Sequence, residues 1–131
     1  YDGDDDKALE TYLDLIDSCP EYLPALNNVG ALLRIHDQPL VAIPFLHNAV
    51  AIGLACVPDG FIFGTDRIAW HWEDNRAFLR AYENLGGCFL DLGASHVDKA
   101  LDTFHQLLTL NPDDCGVSYL VRKLHFLSET K

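Results

Sequence analysis

The chain has 131 residues, which suffices for one domain around a single hydrophobic core. Hydrophobic residues make up 49% of the chain and charged residues 22%, a composition typical of a globular protein rather than a disordered one. With 20 acidic and 9 basic side chains, the formal net charge is -11. We therefore expect neither nucleic acid nor an anionic membrane as a partner, because both would be repelled by such a surface.

Apolar residues recur at spacings of three and four along most of the chain, which predicts six helices. The first is expected over about residues 5–18, the second over 23–36 and the third over 39–56. Pro39 suits a first helical turn, whereas Pro44 should kink the third helix or delay its start. Three further helices are expected over 74–92, 96–110 and 114–127, and Pro112 should end the fifth.

A pattern of small and large apolar residues recurs in the chain, and such self-similarity is the sequence signature of a repeat protein. One set comprises Ala8, Tyr12, Leu15 and Pro20, then Ala42, Leu46 and Ala49 at 34 residues' distance, then Ala100, Phe104, Leu107 and Pro112. The interleaved set comprises Leu26, Val29, Gly30 and Leu33, then Tyr82, Leu85, Gly86 and Phe89. We expect Tyr82, Leu85 and Phe89 to be largely buried, and Gly30 and Gly86 to lie where a neighbouring helix approaches closely. The two copies of the interleaved set lie 56 residues apart, which indicates one 34-residue period and an insertion of about 22 residues.

These two patterns resemble the tetratricopeptide repeat over residues 7–56 and 79–128. The resemblance implies an all-α fold, an α-solenoid of antiparallel helix hairpins with an aromatic-rich insertion between the repeats. It divides a single domain, residues 1–131, into the second helix of a partial repeat (5–22), a full repeat (23–56), the insertion with a helix lead-in (57–78), another full repeat (79–114) and a capping or partial-repeat helix (115–131).

The insertion contains both tryptophans of the chain, Trp70 and Trp72, together with Phe61 and Phe63. It is too apolar for a solvated linker, and long ordered segments of this kind are often functional. Three interpretations remain open at this point. The insertion covers the flank of neighbouring hairpins, it lines a groove in which a peptide binds, or it is disordered.

No motif in the chain indicates catalysis, a metal or a cofactor. The six histidines form no H-E-x-x-H and no pair four residues apart on one helix, and no phosphate-binding glycine motif occurs. We therefore expect a protein that is not an enzyme and has no cofactor. The four cysteines form no C-x-x-C, which favours buried, reduced thiols in a cytoplasmic protein. The absence of methionine suggests that the chain begins within a longer gene product or after processing.

The candidate binding residues follow from the resemblance, which implies that first helices line a concave groove for peptides. Asn28 and Asn84 each stand two residues before a repeat glycine, in the slot that faces this groove, and Arg80 lies one turn before Asn84. Trp70 and Trp72 precede the same helix closely enough to reach its rim. In one subtype of tetratricopeptide repeats, a set of basic residues on this face clamps the terminal carboxylate of the bound peptide. This sequence has only part of that set.

The sequence therefore predicts a non-catalytic scaffold that binds a peptide or a partner domain through its concave helical face. The net charge of -11 favours a peptide with basic flanks, while Arg80 locally favours a carboxylate. The alternative is a structural or regulatory repeat segment of a larger enzyme, packing intramolecularly or forming a homodimer through the insertion.

Overall fold

Six α-helices account for most of the chain in the computed structural model, which describes the backbone of residues 3–129 and the side chains of 4–73 and 75–125. They are α1 (Gly3–Ser18), α2 (Leu23–Ile35), α3 (Pro39–Ala55), α4 (Glu73–Asp91), α5 (Val97–Leu110) and α6 (Cys115–Glu129). A single 3₁₀ turn, Ala94–His96, precedes α5. Residues 3–129 contain no β-strand, so the prediction of an all-α fold is confirmed.

The helix ends follow from local sequence chemistry. Three aspartates lie in the first turn of α1, where they complement the positive end of the helix dipole. Asp114 precedes α6 and accepts a hydrogen bond from the Val117 N–H at 3.0 Å, the geometry of an N-terminal cap. α3 begins at Pro39 and continues through Pro44, so the expectation that Pro44 delays the start of this helix is wrong. Pro44 lies inside the helix and has no N–H, so α3 lacks one backbone hydrogen bond there.

The helices pack as a chain of antiparallel hairpins. Each helix contacts the next one in sequence, and α2 also packs against α4, the first helix of the following hairpin. This second contact stacks the hairpins and makes an α-solenoid, because each hairpin buries its apolar stripe against its neighbour.

Two glycines allow neighbouring helices to pack closely. A Cβ on Gly30 would overlap the Leu46 side chain, and a Cβ on Gly86 would overlap the Phe104 ring. The first pair joins α2 to α3 and the second joins α4 to α5, at corresponding positions of the two repeats. Close packing at these glycines is what the sequence predicts. The surrounding core includes the buried residues Leu26, Ala42, Ala49, Tyr82, Leu85, Cys88, Ala100 and Leu107. Phe89, expected to be largely buried, is only half-buried.

The segment between α3 and α4, residues 57–72, is tied to the helices and is called the connecting segment below. The Ile68 N–H donates to the Leu110 carbonyl at 2.8 Å, and the Asn75 amide donates to the Ala69 carbonyl at 3.0 Å. Ile68 is buried, whereas Ile62 and Phe63 remain exposed. The connecting segment is therefore ordered. It covers part of the helices and leaves several of its apolar side chains exposed to solvent.

The environment of the cysteines differs from the expectation. Cys88 is buried and free, but Cys19, Cys56 and Cys115 are free and exposed, so the prediction that all four thiols are buried is wrong. The three exposed thiols lie at helix ends, where the apolar periodicity no longer determines burial. No helix among residues 3–129 is both long enough and apolar enough to cross a membrane.

Candidate functional site

Two arginines and a tryptophan form a cluster where the connecting segment meets α4. The guanidinium carbons of Arg76 and Arg80 lie 5.5 Å and 5.1 Å from the centre of the Trp70 ring. The two arginines are four residues apart, so they share one face of α4. Arg76 also donates from Nε to the Trp70 carbonyl at 2.9 Å, which fixes the backbone of the segment to the helix. The structure thus brings together two of the predicted binding residues, Trp70 and Arg80.

Asn84 takes part in a hydrogen-bond network between α2 and α4. Its amide nitrogen donates to Asn27 Oδ1 at 3.2 Å, and its own oxygen accepts from Arg34 Nη1 at 3.4 Å. Arg34 also pairs with Asp91, with Nε and Oδ2 2.8 Å apart. Asn27 is 4% exposed, so its hydrogen bond lies within the interface between the helices. The Asn84 side chain therefore bridges α4 and α2.

The remaining two predicted residues lie apart from this network. Asn28 is half-buried on α2, and its side chain makes no hydrogen bond with the described residues. Trp72 is 65% exposed, and its ring lies 5.5 Å from that of His71. It borders a different, largely apolar groove of about 810 Å³, which the connecting segment forms with the end of α3 and the start of α2. The two tryptophans therefore do not share one groove.

Two depressions flank α4 beside the Trp70 cluster. The arginine cleft, about 350 Å³, is lined by Pro24, Glu73, Arg76, Ala77 and Arg80. The acidic groove, about 770 Å³, is lined by Arg67, Ala69, Trp70, His71, Glu83, Asn111, Asp113, Asp114 and Cys115. Trp70 lines the acidic groove, and its ring also contacts Arg76 and Arg80, which line the arginine cleft. The two depressions are therefore neighbours, and they differ in charge.

Glu83 lies on the α4 side of the acidic groove. Although its outer edge is exposed, the surrounding walls desolvate the carboxyl and raise its pKa above the ordinary value. The Asp114 carboxylate raises the pKa further, while Arg34 and Arg80 oppose the shift. The groove is lined by the carboxylates of Glu83, Asp113 and Asp114 against Arg67, which pairs with Asp113 at 3.4 Å, so its lining has an excess of acidic side chains.

Replacing Glu83 with glutamine should stabilise the protein more at neutral pH than in acid. A raised folded-state pKa means that the folded protein binds this proton more tightly than the unfolded chain does. Stability is thus lost as the pH rises from the ordinary glutamate pKa through the raised one, and Glu83→Gln removes that loss. We expect the Tm difference between Glu83→Gln and wild type to be more positive at about pH 7 than at about pH 4. An equal difference at both pH values, in thermal unfolding followed by circular dichroism, would contradict the shift.

The buried thiol is not poised for nucleophilic chemistry. Burial raises the pKa of Cys88 to about 11, and the Asp91 carboxylate adds to this while Arg34 opposes it. At neutral pH the group is a thiol, and the thiolate is the reactive form. Among the described residues there is also no group of three or more His, Cys, Asp and Glu side chains that could hold a metal ion.

Several site residues escaped the sequence reasoning for different reasons. Arg76 could have been found, since it precedes Arg80 by four residues and belongs to the same helical face. Arg34 could not, because its partners Asp91 and Asn84 lie 57 and 50 residues away in sequence. Such contacts depend on the stacking of α2 on α4, which periodicity predicts only in outline.

Two solved structures with a similar fold are tetratricopeptide-repeat domains. One is described as the first TPR of Spaghetti (RPAP3) bound to the HSP90 peptide SRMEEVD; it matches with a TM-score of 0.71 and 19% identity, over 97% of this chain and 84% of that one. Another is the NMR structure of the first TPR domain of the human RPAP3 protein, with a TM-score of 0.69 and 20% identity over 98% and 82%. No protein-family model matches the sequence, and no curated protein matches it.

The chain therefore has the fold of a tetratricopeptide-repeat domain. This confirms the fold that the repeat pattern predicts, including the antiparallel hairpins.

Proposed function

We propose that this chain is a non-catalytic protein-interaction scaffold that binds a peptide along the concave face formed by α2 and α4. The observation that carries the proposal is the Trp70 cluster, in which Arg76 and Arg80 lie over an accessible indole beside two grooves. An aromatic ring that is 41% exposed and flanked by arginines is typical of an interface anchor rather than of a core residue. The peptide-bound similar domain supports the same type of function.

The charges along the site favour a peptide of mixed character. Arg76 and Arg80 provide guanidinium donors for a carboxylate of the peptide in the arginine cleft. Glu83 and Asp114, in the adjoining acidic groove, favour a basic side chain next to it. The overall charge of -11 draws basic flanks toward the surface during encounter. We propose a peptide in which an acidic residue is followed or preceded closely by lysine or arginine.

Selection from a random peptide library would test whether the chain binds peptides and which side chains those peptides share. Selected peptides are synthesised with a fluorescent label, and their affinity is measured by anisotropy for wild type, Arg80→Ala and Trp70→Ala. We expect each substitution to weaken binding by about 1 kcal/mol or more, because both residues are interface anchors. Raising the salt concentration should weaken wild-type binding and reduce the effect of Arg80→Ala, since exposed ionic contacts are screened.

Lys99→Ala provides a matched control for the loss of one positive charge. Lys99 lies on α5 near the Phe89 ring, away from the arginine cleft and the acidic groove. Its removal should leave peptide affinity unchanged. If Arg80→Ala and Trp70→Ala also leave it unchanged, the concave face of α4 is not the binding surface, and the exposed side chains of the connecting segment become the next candidates.

A further inference from the structure

Two histidines from the last two helices face each other through the same ring nitrogen. His105 lies on α5 and His125 on α6, and their Nε2 atoms are 3.3 Å apart. The ring centres are 5.5 Å apart, and the rings are tilted by 47°. Both side chains are exposed, and neither lines the acidic groove nor the arginine cleft. This pair is therefore separate from the proposed peptide site.

The separation of the two nitrogens matches a known coordination geometry. Zinc binds histidine nitrogen at about 2.0–2.1 Å in a tetrahedral site, so two imidazole ligands lie about 3.3–3.4 Å apart. Without a metal the two rings make a hydrogen bond, in which one ring donates from Nε2 to the Nε2 of the other. When both rings carry their ring proton on Nδ1, both Nε2 lone pairs are available to an ion, and the two Nε2 atoms already stand at the separation that one tetrahedral ion requires.

We propose that His105 and His125 form a two-histidine site for a divalent transition metal of the class that imidazole prefers, with Zn²⁺ as the representative ion. Water completes the coordination, because the described residues offer no third His, Cys, Asp or Glu ligand there. The net charge of -11 favours a cation at the surface in general.

A metal at this position would tie α6 to α5. Within residues 3–129, α6 packs mainly on α5, whereas α2 and α4 each pack on more than one other helix. An ion held by one side chain from each helix stabilises that contact, because it binds the folded arrangement and not the unfolded chain. Metal binding at this site would therefore be coupled to the packing of α6 on α5.

Titration of metal-free, untagged protein with Zn²⁺ in a calorimeter tests the proposal. Serine replaces the three exposed cysteines Cys19, Cys56 and Cys115 in every variant, so that thiolates do not compete for the ion. We expect one Zn²⁺ per chain and a rise in Tm on addition of Zn²⁺. His105→Asn or His125→Asn should lower the affinity for Zn²⁺ about tenfold or more, since even the loss of an outer-shell partner of a metal ligand costs about 10–100-fold.

His47→Asn serves as the control, because His47 is an exposed histidine on α3, away from the pair. It should bind Zn²⁺ as wild type does, and the Tm of the metal-free His105→Asn and His125→Asn variants should equal that of wild type. The proposal is overturned if either of these two variants keeps the wild-type affinity, or if His47→Asn loses as much. One Zn²⁺ per two chains, with a dimer in light scattering, would overturn the water-completed site.

Discussion

Phe104→Ala is expected to lower the free energy of unfolding by about 3–5 kcal/mol, the usual cost of removing a fully buried aromatic ring. Phe104 is 1% exposed and lies against Gly86 on the neighbouring helix. The glycine leaves no side chain that could move into the vacated space, so the cavity should persist. Equilibrium unfolding in urea, followed by circular dichroism, measures the loss.

The same pair predicts a coupling that neither single substitution reveals. Gly86→Ala alone places a methyl group into the Phe104 ring, and such overpacking costs about 1–3 kcal/mol. In the Phe104→Ala background the methyl group enters the cavity instead. The alanine then stabilises the helix by up to about 1 kcal/mol, because glycine is the poorer helix former. Gly86→Ala should therefore change from destabilising to stabilising when Phe104 is absent.

Gly116→Ala is the matched control for this cycle. Gly116 is also helical, but a Cβ there would meet only the Asp114 carboxylate, at 3.6 Å, which is an ordinary contact. Gly116→Ala should be neutral or stabilising, and its effect should be the same with and without Phe104. Additive effects of Gly86→Ala and Phe104→Ala would show that the two residues do not pack against each other.

The repeat pattern predicted the fold because it encodes burial directly. Spacings of three and four place apolar residues on one helical stripe, and every predicted helix is found, with ends within two residues of those expected. The pattern predicted the role of Gly30 and Gly86 for the same reason, since only close helix packing accounts for glycine inside such a stripe. It overestimated the burial of Phe89 because α-helical phase does not tell how far the neighbouring helix extends.

The candidate site was predicted less well, because its contacts join elements that are distant in sequence. The phase of α4 places Arg80 and Asn84 on one face, but it does not tell that Arg80 lies over Trp70. That contact depends on the path of residues 57–72, which have no periodicity to indicate it. The separation of Trp72 from Trp70 has the same origin, since side chains two residues apart in an irregular segment need not share a groove.

Asn84→Ala is expected to lower the free energy of unfolding by about 1–3 kcal/mol, because it removes the donor to a buried oxygen of Asn27. Arg34 loses one contact as well but keeps its ion pair with Asp91. A lower apparent peptide affinity of Asn84→Ala would therefore reflect distortion of the α2–α4 stack as much as a lost contact with the peptide. Chemical denaturation without peptide isolates the structural part.

Asn28→Ala is the matched control, since Asn28 stands in the equivalent slot of α2 and makes no side-chain hydrogen bond with the described residues. Its effect on stability should stay within about 0.5 kcal/mol, as for most substitutions outside the core. Adding Asn27→Leu to Asn84→Ala should recover part of the loss, because replacing both partners of a buried hydrogen bond leaves no unsatisfied group. If Asn84→Ala is no less stable than Asn28→Ala, the network does not hold the helices together, and Asn84 is available to a peptide.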